Sequence, residues 1–284
     1  MEQPLSKRGP EPSAPRRGLT SWRTLRLGAL LPPLGYLLPP ALALVMLAIA
    51  WEFWTRIADV QPYVVPRPSV VLERLFGDIG FFARHGGTTL WEAMAGFGLG
   101  TAVAITGAAV MAHSRFLERS LFPLAVLVKV TPIVAYAPLL IIWFGFGWLP
   151  IVLIAALITF FPALVNAMVG LRSVDPGALD FFRSVHASTS EIFFKLRVPS
   201  SLPYLFAAFR ISIPLSVIGA VVGEWFSGGQ RGLGSLIFVA HYNLDMPTLF
   251  SAGLTLALMG ISLTVLTSYV ERRVLFWHES SKSG

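Results

Sequence analysis

The chain contains no cysteine, which removes disulfides, thiolate metal sites and cysteine nucleophiles together. Charge is scarce as well: 13% of its 284 residues are Asp, Glu, Lys or Arg, about half the share of a soluble domain. That is too little to cover a folded surface in water, so a single soluble domain is excluded. No Gly-x4-Gly-Lys-Ser/Thr run surrounds any of the lysines, so the chain has no phosphate-cradling P-loop and cannot use ATP by that route. Neither His-Glu-x-x-His nor Gly-x-Ser-x-Gly occurs, and the histidines at 85, 113, 186, 241 and 278 are scattered. These gaps argue against an intramembrane hydrolase or metalloenzyme. No catalytic residue, metal or cofactor is expected, and any work at a membrane must draw on a partner or an ion gradient.

What is abundant is apolar: 55% of the residues are hydrophobic and the mean hydropathy is +0.68. An excess spread over the whole length points to a polytopic membrane protein. Residues 1–33 differ, being rich in Pro, Ser and Arg with six basic residues, and read as a flexible basic cytoplasmic tail. Six later stretches are long enough for the ~20 helical residues of a bilayer core, near 36–56, 88–111, 121–144, 149–171, 203–226 and 247–270. The fold class expected is therefore all-α, with six transmembrane helices and an extramembrane helix-turn-helix. A cleavable signal peptide is an alternative for the first stretch, given its basic start and the small residues Ala48 and Ala50.

The net charge of +7 would suggest nucleic acid in a soluble protein, but here the placement of the charges decides, and no nucleic-acid partner is expected. Lys and Arg accumulate on the cytoplasmic side of membranes. With both termini inside, fifteen basic residues fall in cytoplasmic segments, against only Arg67, Arg74, Arg84 and Arg231 outside. The outer segment after Pro66-Arg67-Pro68-Ser69 carries Val70, Val71, Leu72, Leu75 and Phe76 at helical spacing, and predicts a short helix at the outer interface.

The most informative segment is the long loop 173–200. Asp175-Pro176 supplies an N-cap and a first-turn proline. Ala178, Phe181, Phe182 and Val185 then form one apolar face of a helix that stops near His186. Ser188-Thr189-Ser190-Glu191 is a capping box that starts a second helix, with Ile192, Phe193 and Leu196 on its apolar side, Glu191 and Lys195 paired at i, i+4, and Pro199 expected to end it. The pattern alone leaves two readings open, helices lying flat in the headgroup layer or a protein-docking surface of the helix-in-groove kind.

The loop resembles the cytoplasmic motif Glu-Ala-Ala-x3-Gly-x9-Ile-x-Leu-Pro of the membrane-spanning subunits of bacterial binding-protein-dependent ABC importers, in particular the nitrate/sulfonate/taurine permease group. Here the positions read Asp180-Phe181-Phe182-x3-His186-x9-Leu196-x-Val198-Pro199, with Asp for Glu, two Phe for two Ala, and His for Gly. Pro66-x-Pro68-Ser69, Pro138-Leu139, Trp143-Phe144-Gly145-x-Gly147, the run 170–176, Arg210, Gly219-Ala220-Val221-Val222-x-Glu224-Trp225 and Gly232-Leu233-Gly234 extend the resemblance over about 34–278, leaving 279–284 as a C-terminal tail. The resemblance implies a permease in the bacterial plasma (inner) membrane. It implies a homodimer forming the pathway, two ATP-binding subunits beneath it, and a periplasmic or lipoprotein solute-binding protein above. It also implies that Asp180, Phe181, Phe182, Val185, His186, Ser188, Glu191, Phe193 and Pro199 couple the chain to the ATPase. The cargo of such permeases is a nitrate-, sulfonate- or taurine-like anion, or a pyrimidine or flavin-type precursor.

Charges inside spans are costly, about 2.5–3.5 kcal/mol at mid-helix. Glu52 and Glu92 are expected near outer ends as solvated carboxylates, and Lys129 is expected to snorkel. Lys129, Arg210, Ser216 and Glu224 are the candidate translocation-pathway residues; Arg210 and Glu224 lie fourteen residues apart, close to one helix face and ~21 Å along it. The competing account has each charge simply reaching its nearest headgroup layer. Small-residue stripes at Ser212, Ser216, Gly219, Ala220 and Gly223, and at Gly96, Gly100, Ala104 and Ala108, suit close helix contact, and Pro214 is expected to kink or locally unwind its span. A secondary transporter not coupled to an ATPase is the alternative function, although the two similar halves with broken helices that it calls for are not seen. A membrane-embedded enzyme or anchor is disfavoured by the missing chemistry.

Overall fold

A computed structural model of the chain describes residues 34–228 and 231–276, and its regular elements are all helical. The expectations for the tails 1–33 and 279–284 lie outside these residues. The chain divides into two compact units, 1–49 and 50–284. Helix α1 (Leu34–Ile57) runs from the first into the second. Its side chains at 38–50 are all exposed, as suits an apolar helix with lipid around it.

Unit 50–284 contains α2 (Pro68–Gly77), α3 (Ile79–His113), α4 (Arg115–Val130), α5 (Ile133–Phe144), α6 (Trp148–Arg172), α7 (Pro176–Ser184), α8 (Thr189–Ile192), α9 (Val198–Phe226), α10 (Leu233–Tyr242) and α11 (Met246–Val274). Among the described residues, five helices are long and apolar enough to cross a membrane, or six if the bent pair α4 and α5 forms one span.

The stretch expected as one span over 121–144 is broken in the middle, its two helices meeting at 99°. The cause is local: Pro132 disfavours α geometry at the residue before it, and Thr131 is extended (φ −69°, ψ 127°). Helix α3 begins at Ile79, well before 88, because the Asp78 carboxylate accepts from the Phe81 N–H at 3.0 Å and caps it. At 35 residues it is ~52 Å long, so Glu92 sits ~20 Å along it rather than at its outer end.

The centre of this unit is α6, packed between α3 and α9 along glycine seams. A Cβ at Gly96 would overlap Ala155, and one at Gly100 would overlap the Ala156 carbonyl oxygen and Thr159 Oγ1. From the other side, Cβ atoms at Gly219 and Gly223 would lie 2.7 Å from Ala155 Cα and 2.8 Å from Ile151 Cα. The small-residue stripes are therefore the faces by which three backbones approach, the arrangement that membrane packing favours where no hydrophobic effect drives association. Helix α9 continues through Pro214 from Val198 to Phe226.

Helix α2 is anchored rather than merely lying at an interface. Val71 and Leu75 are buried, the Ser251 hydroxyl donates to the Val71 carbonyl at 2.9 Å, and Arg74 Nε donates to Thr248 Oγ1 at 3.0 Å. Glu52, expected to be solvated, keeps partial exposure while accepting from the Ser69 N–H (3.1 Å) and hydroxyl (3.0 Å) and pairing with Arg56. The Pro-x-Pro-Ser run is thus tied to the end of α1.

Candidate functional site

The segment 173–200 folds as two capped helices joined by a tight turn. Asp175 Oδ2 accepts from the Ala178 N–H at 2.8 Å and opens α7, with Pro176 at its first position. At the turn, His186 has φ +55°, the left-handed region where glycine is at ease and most side chains are strained. The sequence places His186 where the resembled motif has glycine, and the backbone there takes a glycine-like conformation. His186→Gly is expected to leave the hairpin as stable or firmer, whereas His186→Val should cost about 1–2 kcal/mol, checked by hydrogen exchange of the amides of α7 and α8.

The second helix starts on a complete capping box: the Ser188 hydroxyl accepts from the Glu191 N–H (3.2 Å), and Glu191 Oε2 accepts from the Ser188 N–H (3.0 Å). Lys195 Nζ donates to Glu191 Oε1 at 2.8 Å. The Lys195 ammonium, then the Ser188 donors, hold the Glu191 carboxyl down at about 2, so the cap stays charged at neutral pH.

Pro199 does not end this helix. Residues Phe193–Arg197 form a π turn in which the Val198 N–H donates to the Phe193 carbonyl, and the chain runs directly into α9. Widening the helix just before a residue that lacks an N–H relieves the clash a proline ring otherwise causes. The hairpin is consequently built onto the transmembrane helix that follows it.

Its predicted coupling residues divide into two sets. Asp180, Phe181, Val185, His186, Ser188 and Pro199 are exposed, with Phe181 at 64% and Val185 at 58%. Phe182 is half-buried beside Phe181, with ring centroids 6.2 Å apart. Phe193 turns inward instead: it packs on the core around Ala108, Met111 and Leu171, with its ring 5.2 Å from that of His113. Phe194, which the sequence reading did not single out, is the outward-facing aromatic of the second helix.

The pathway candidates are dispersed. Lys129 lies one residue before the end of α4, its ammonium 4.5 Å from the centre of the Phe161 ring. Arg210 is half-exposed and pairs with Glu271 at 2.6 Å. Ser216 is buried, its hydroxyl donating to the Ile213 carbonyl at 2.7 Å.

Glu224 has the most developed environment. It is 1% exposed, and its carboxylate clamps the start of α10: Oε2 accepts from the N–H groups of Gly234 (2.6 Å) and Ser235 (3.0 Å), and Oε1 from the Thr89 hydroxyl (2.7 Å). Thr89 Oγ1 in turn accepts from the Leu233 N–H at 2.8 Å, and His85 Nδ1 from the Gly232 N–H at 3.2 Å. A helix start buried in an apolar setting must find such acceptors, and an acid there also complements the helix dipole. Gly232, at φ +118°, leaves no room for a Cβ against the carboxylate, and a Cβ on Gly234 would lie 2.8 Å from the Val221 carbonyl oxygen. The Glu-Trp and Gly-Leu-Gly fragments are therefore two halves of one device. Glu92, expected to be solvated, is 5% exposed beside this clamp, with Oε2 buried and no described donor reaching it.

Residues 96–276 match the family described as binding-protein-dependent transport system inner membrane component. The riboflavin transport system permease protein RibX of Chloroflexus aurantiacus is 36% identical over 239 residues, covering 84% of this chain and 89% of that one. The formylaminopyrimidine transport permease protein ThiX of Halalkalibacterium halodurans is 33% identical over 243 residues (85% and 96%). The putative aliphatic sulfonates transport permease protein SsuC of Bacillus subtilis is 28% identical over 249 residues (87% and 88%). A chain from the inward-facing methionine ABC transporter MetNI matches with a TM-score of 0.62 at 16% identity, covering 69% of this chain and 97% of that one, which supports the all-helical fold. With a family match across most of its length laid over these helices, the chain belongs to the binding-protein-dependent transport system inner membrane components, as a multi-pass permease subunit of the ABC importer class.

Proposed function

We propose that this permease, paired with a second copy of itself, forms a passage for a small solute delivered by an outer binding protein, and that two ATP-binding subunits drive it by gripping the hairpin 173–200. Both termini then face the cytoplasm, as the distribution of basic residues suggests. The observation that carries the reading is the hairpin. It is capped at both starts, turned at His186 with φ +55°, shows Phe181, Val185 and Phe194 to its surroundings, and is joined without a break to α9. Force applied to such an element is delivered to a transmembrane helix. The chain itself, without a P-loop, supplies no hydrolysis.

On cargo, the two relatives above 30% identity are named for riboflavin and formylaminopyrimidine, and the sulfonate relative stands at 28%. This favours a flavin or pyrimidine-type compound over a sulfonate-like anion.

The test uses the two exposed apolar residues of α7, because changing the half-buried Phe182 would also disturb packing. Phe181→Glu with Val185→Glu is expected to abolish co-purification with the ATP-binding subunit and to lower ATP-dependent uptake at least tenfold, each anchor contributing about 1–2 kcal/mol to docking. Membrane insertion should be unchanged. Unaltered uptake by that variant, or uptake by vesicles holding this chain alone without ATP, would overturn the proposal.

A further inference from the structure

A cavity of about 820 Å³ opens where the hairpin meets the ends of the transmembrane helices. Four guanidinium-bearing residues line it, Arg115, Arg119, Arg172 and Arg197, against a single acid, Glu118. Arg172 and Glu118 satisfy each other in a fork-to-fork pair, Nη1 to Oε1 at 2.8 Å and Nη2 to Oε2 at 2.6 Å. Arg115, Arg119 and Arg197 form no ion pair among the described residues, so the cavity carries about three uncompensated positive charges. Like charges lining one hollow repel, and an anion among them relieves that repulsion; planar guanidinium groups match phosphate oxygens best.

We propose that this cavity binds the phosphate of an anionic phospholipid. The ligand chemistry is a phosphate ester, and the walls favour the lipid over free phosphate. Phe122, Pro123 and Leu171 give the cavity an apolar side. Arg115 is the first residue of α4 and Arg172 the last of α6, so the charged rim lies where spans end and headgroups begin. Helix α4 carries Arg115 and Arg119 on its first turns and is apolar from Leu121 to Val128, so a lipid can place its phosphate on the rim and its chains along the helix. A lipid seated there also touches Val174 and Leu179, at the root of the hairpin. The site is independent of which solute is carried, and uses the family assignment only to set the chain in a bilayer.

The experiment measures the thermal midpoint and the retained lipid of the purified permease in neutral detergent, by unfolding scans and native mass spectrometry. Phosphatidylglycerol, phosphatidylcholine and inorganic phosphate are added at equal concentration. Phosphatidylglycerol is expected to be retained and to raise the midpoint, the other two not. The triple variant Arg115→Gln, Arg119→Gln, Arg197→Gln should bind phosphatidylglycerol about a hundredfold more weakly while its lipid-free midpoint stays put. If that variant does not accumulate, Arg115→Gln and Arg119→Gln singly, each about fivefold weaker, decide the matter. Equal retention of phosphatidylcholine, or undiminished phosphatidylglycerol binding by the variants, overturns the proposal. A full effect from inorganic phosphate assigns the cavity to a soluble anion instead. If the variants keep the lipid and lose the ATP-binding subunit, the cavity is a protein contact.

Discussion

Glu224→Ala is expected to unseat α10 and to destabilise the permease by about 4 kcal/mol, because two buried backbone donors lose their acceptor at once, each costing about 1–3 kcal/mol when left bare, and a third donor is weakened. The donors are the N–H groups of Gly234 and Ser235 and the hydroxyl of Thr89. Glu224→Gln should cost far less, about 1 kcal/mol. Its oxygen can still face the two N–H groups, and Thr89 can turn its hydroxyl toward the His85 carbonyl, already 3.3 Å away. Gly234→Ala should resemble Glu224→Ala for a different reason, since the added carbon meets the backbone of Val221, which no rotamer change can move aside. The absence of cysteine offers a direct readout. A lone Ser235→Cys, at a position 5% exposed, should resist maleimide in the parent chain and react once Glu224 is alanine. If the thiol stays protected and the unfolding midpoint holds, α10 is seated by something other than this carboxylate.

How much of this was legible beforehand depended on how far apart the cooperating residues lie. The caps at Asp175 and Ser188-Glu191 are local chemistry within three residues, and the structure has the hydrogen bonds that the sequence implies. The left-handed turn at His186 was suggested only by the glycine that the resembled motif has there, since histidine gives little signal of its own. Pro132 marked the break between α4 and α5, but lay hidden in an apolar run whose length alone suggests one span. Pro199 misled in the opposite direction, because a π turn accommodates it, and the continuous helix that results makes the Phe193 face the lower end of the core face of α9. Glu224 and Glu92 were visible as charges in spans, yet their surroundings depend on α3 starting at Asp78 and on α10 folding back against α9. Neither can be read from periodicity within a single helix.

Ala155→Leu is expected to break the α3, α6 and α9 packing, with a loss of about 3 kcal/mol or more and a permease that fails to accumulate in the membrane. Ala155 is fully buried, with the Cβ position of Gly96 falling on its own side chain and that of Gly219 2.7 Å from its Cα. A core built from large side chains can absorb an added group by shrinking a neighbour. Here both facing residues are already glycine, so the only relief is to push α3 or α9 away from α6, and that opens every contact along the seam. The control Val169→Leu, on the half-exposed face of the same helix, should change stability by less than about 0.5 kcal/mol. Ala155→Gly should cost about 1 kcal/mol through helix propensity alone. Accumulation in membranes and detergent unfolding midpoints distinguish the three. If Ala155→Leu behaves like Val169→Leu, the helices do not approach as closely as the glycines require. The same closeness bears on transport: α9 begins at the hairpin, is locked to α6 through Gly219 and Gly223, and α6 to α3 through Gly96 and Gly100. A displacement of the hairpin is then expected to carry the three helices together, since moving one alone strains its close backbone contacts.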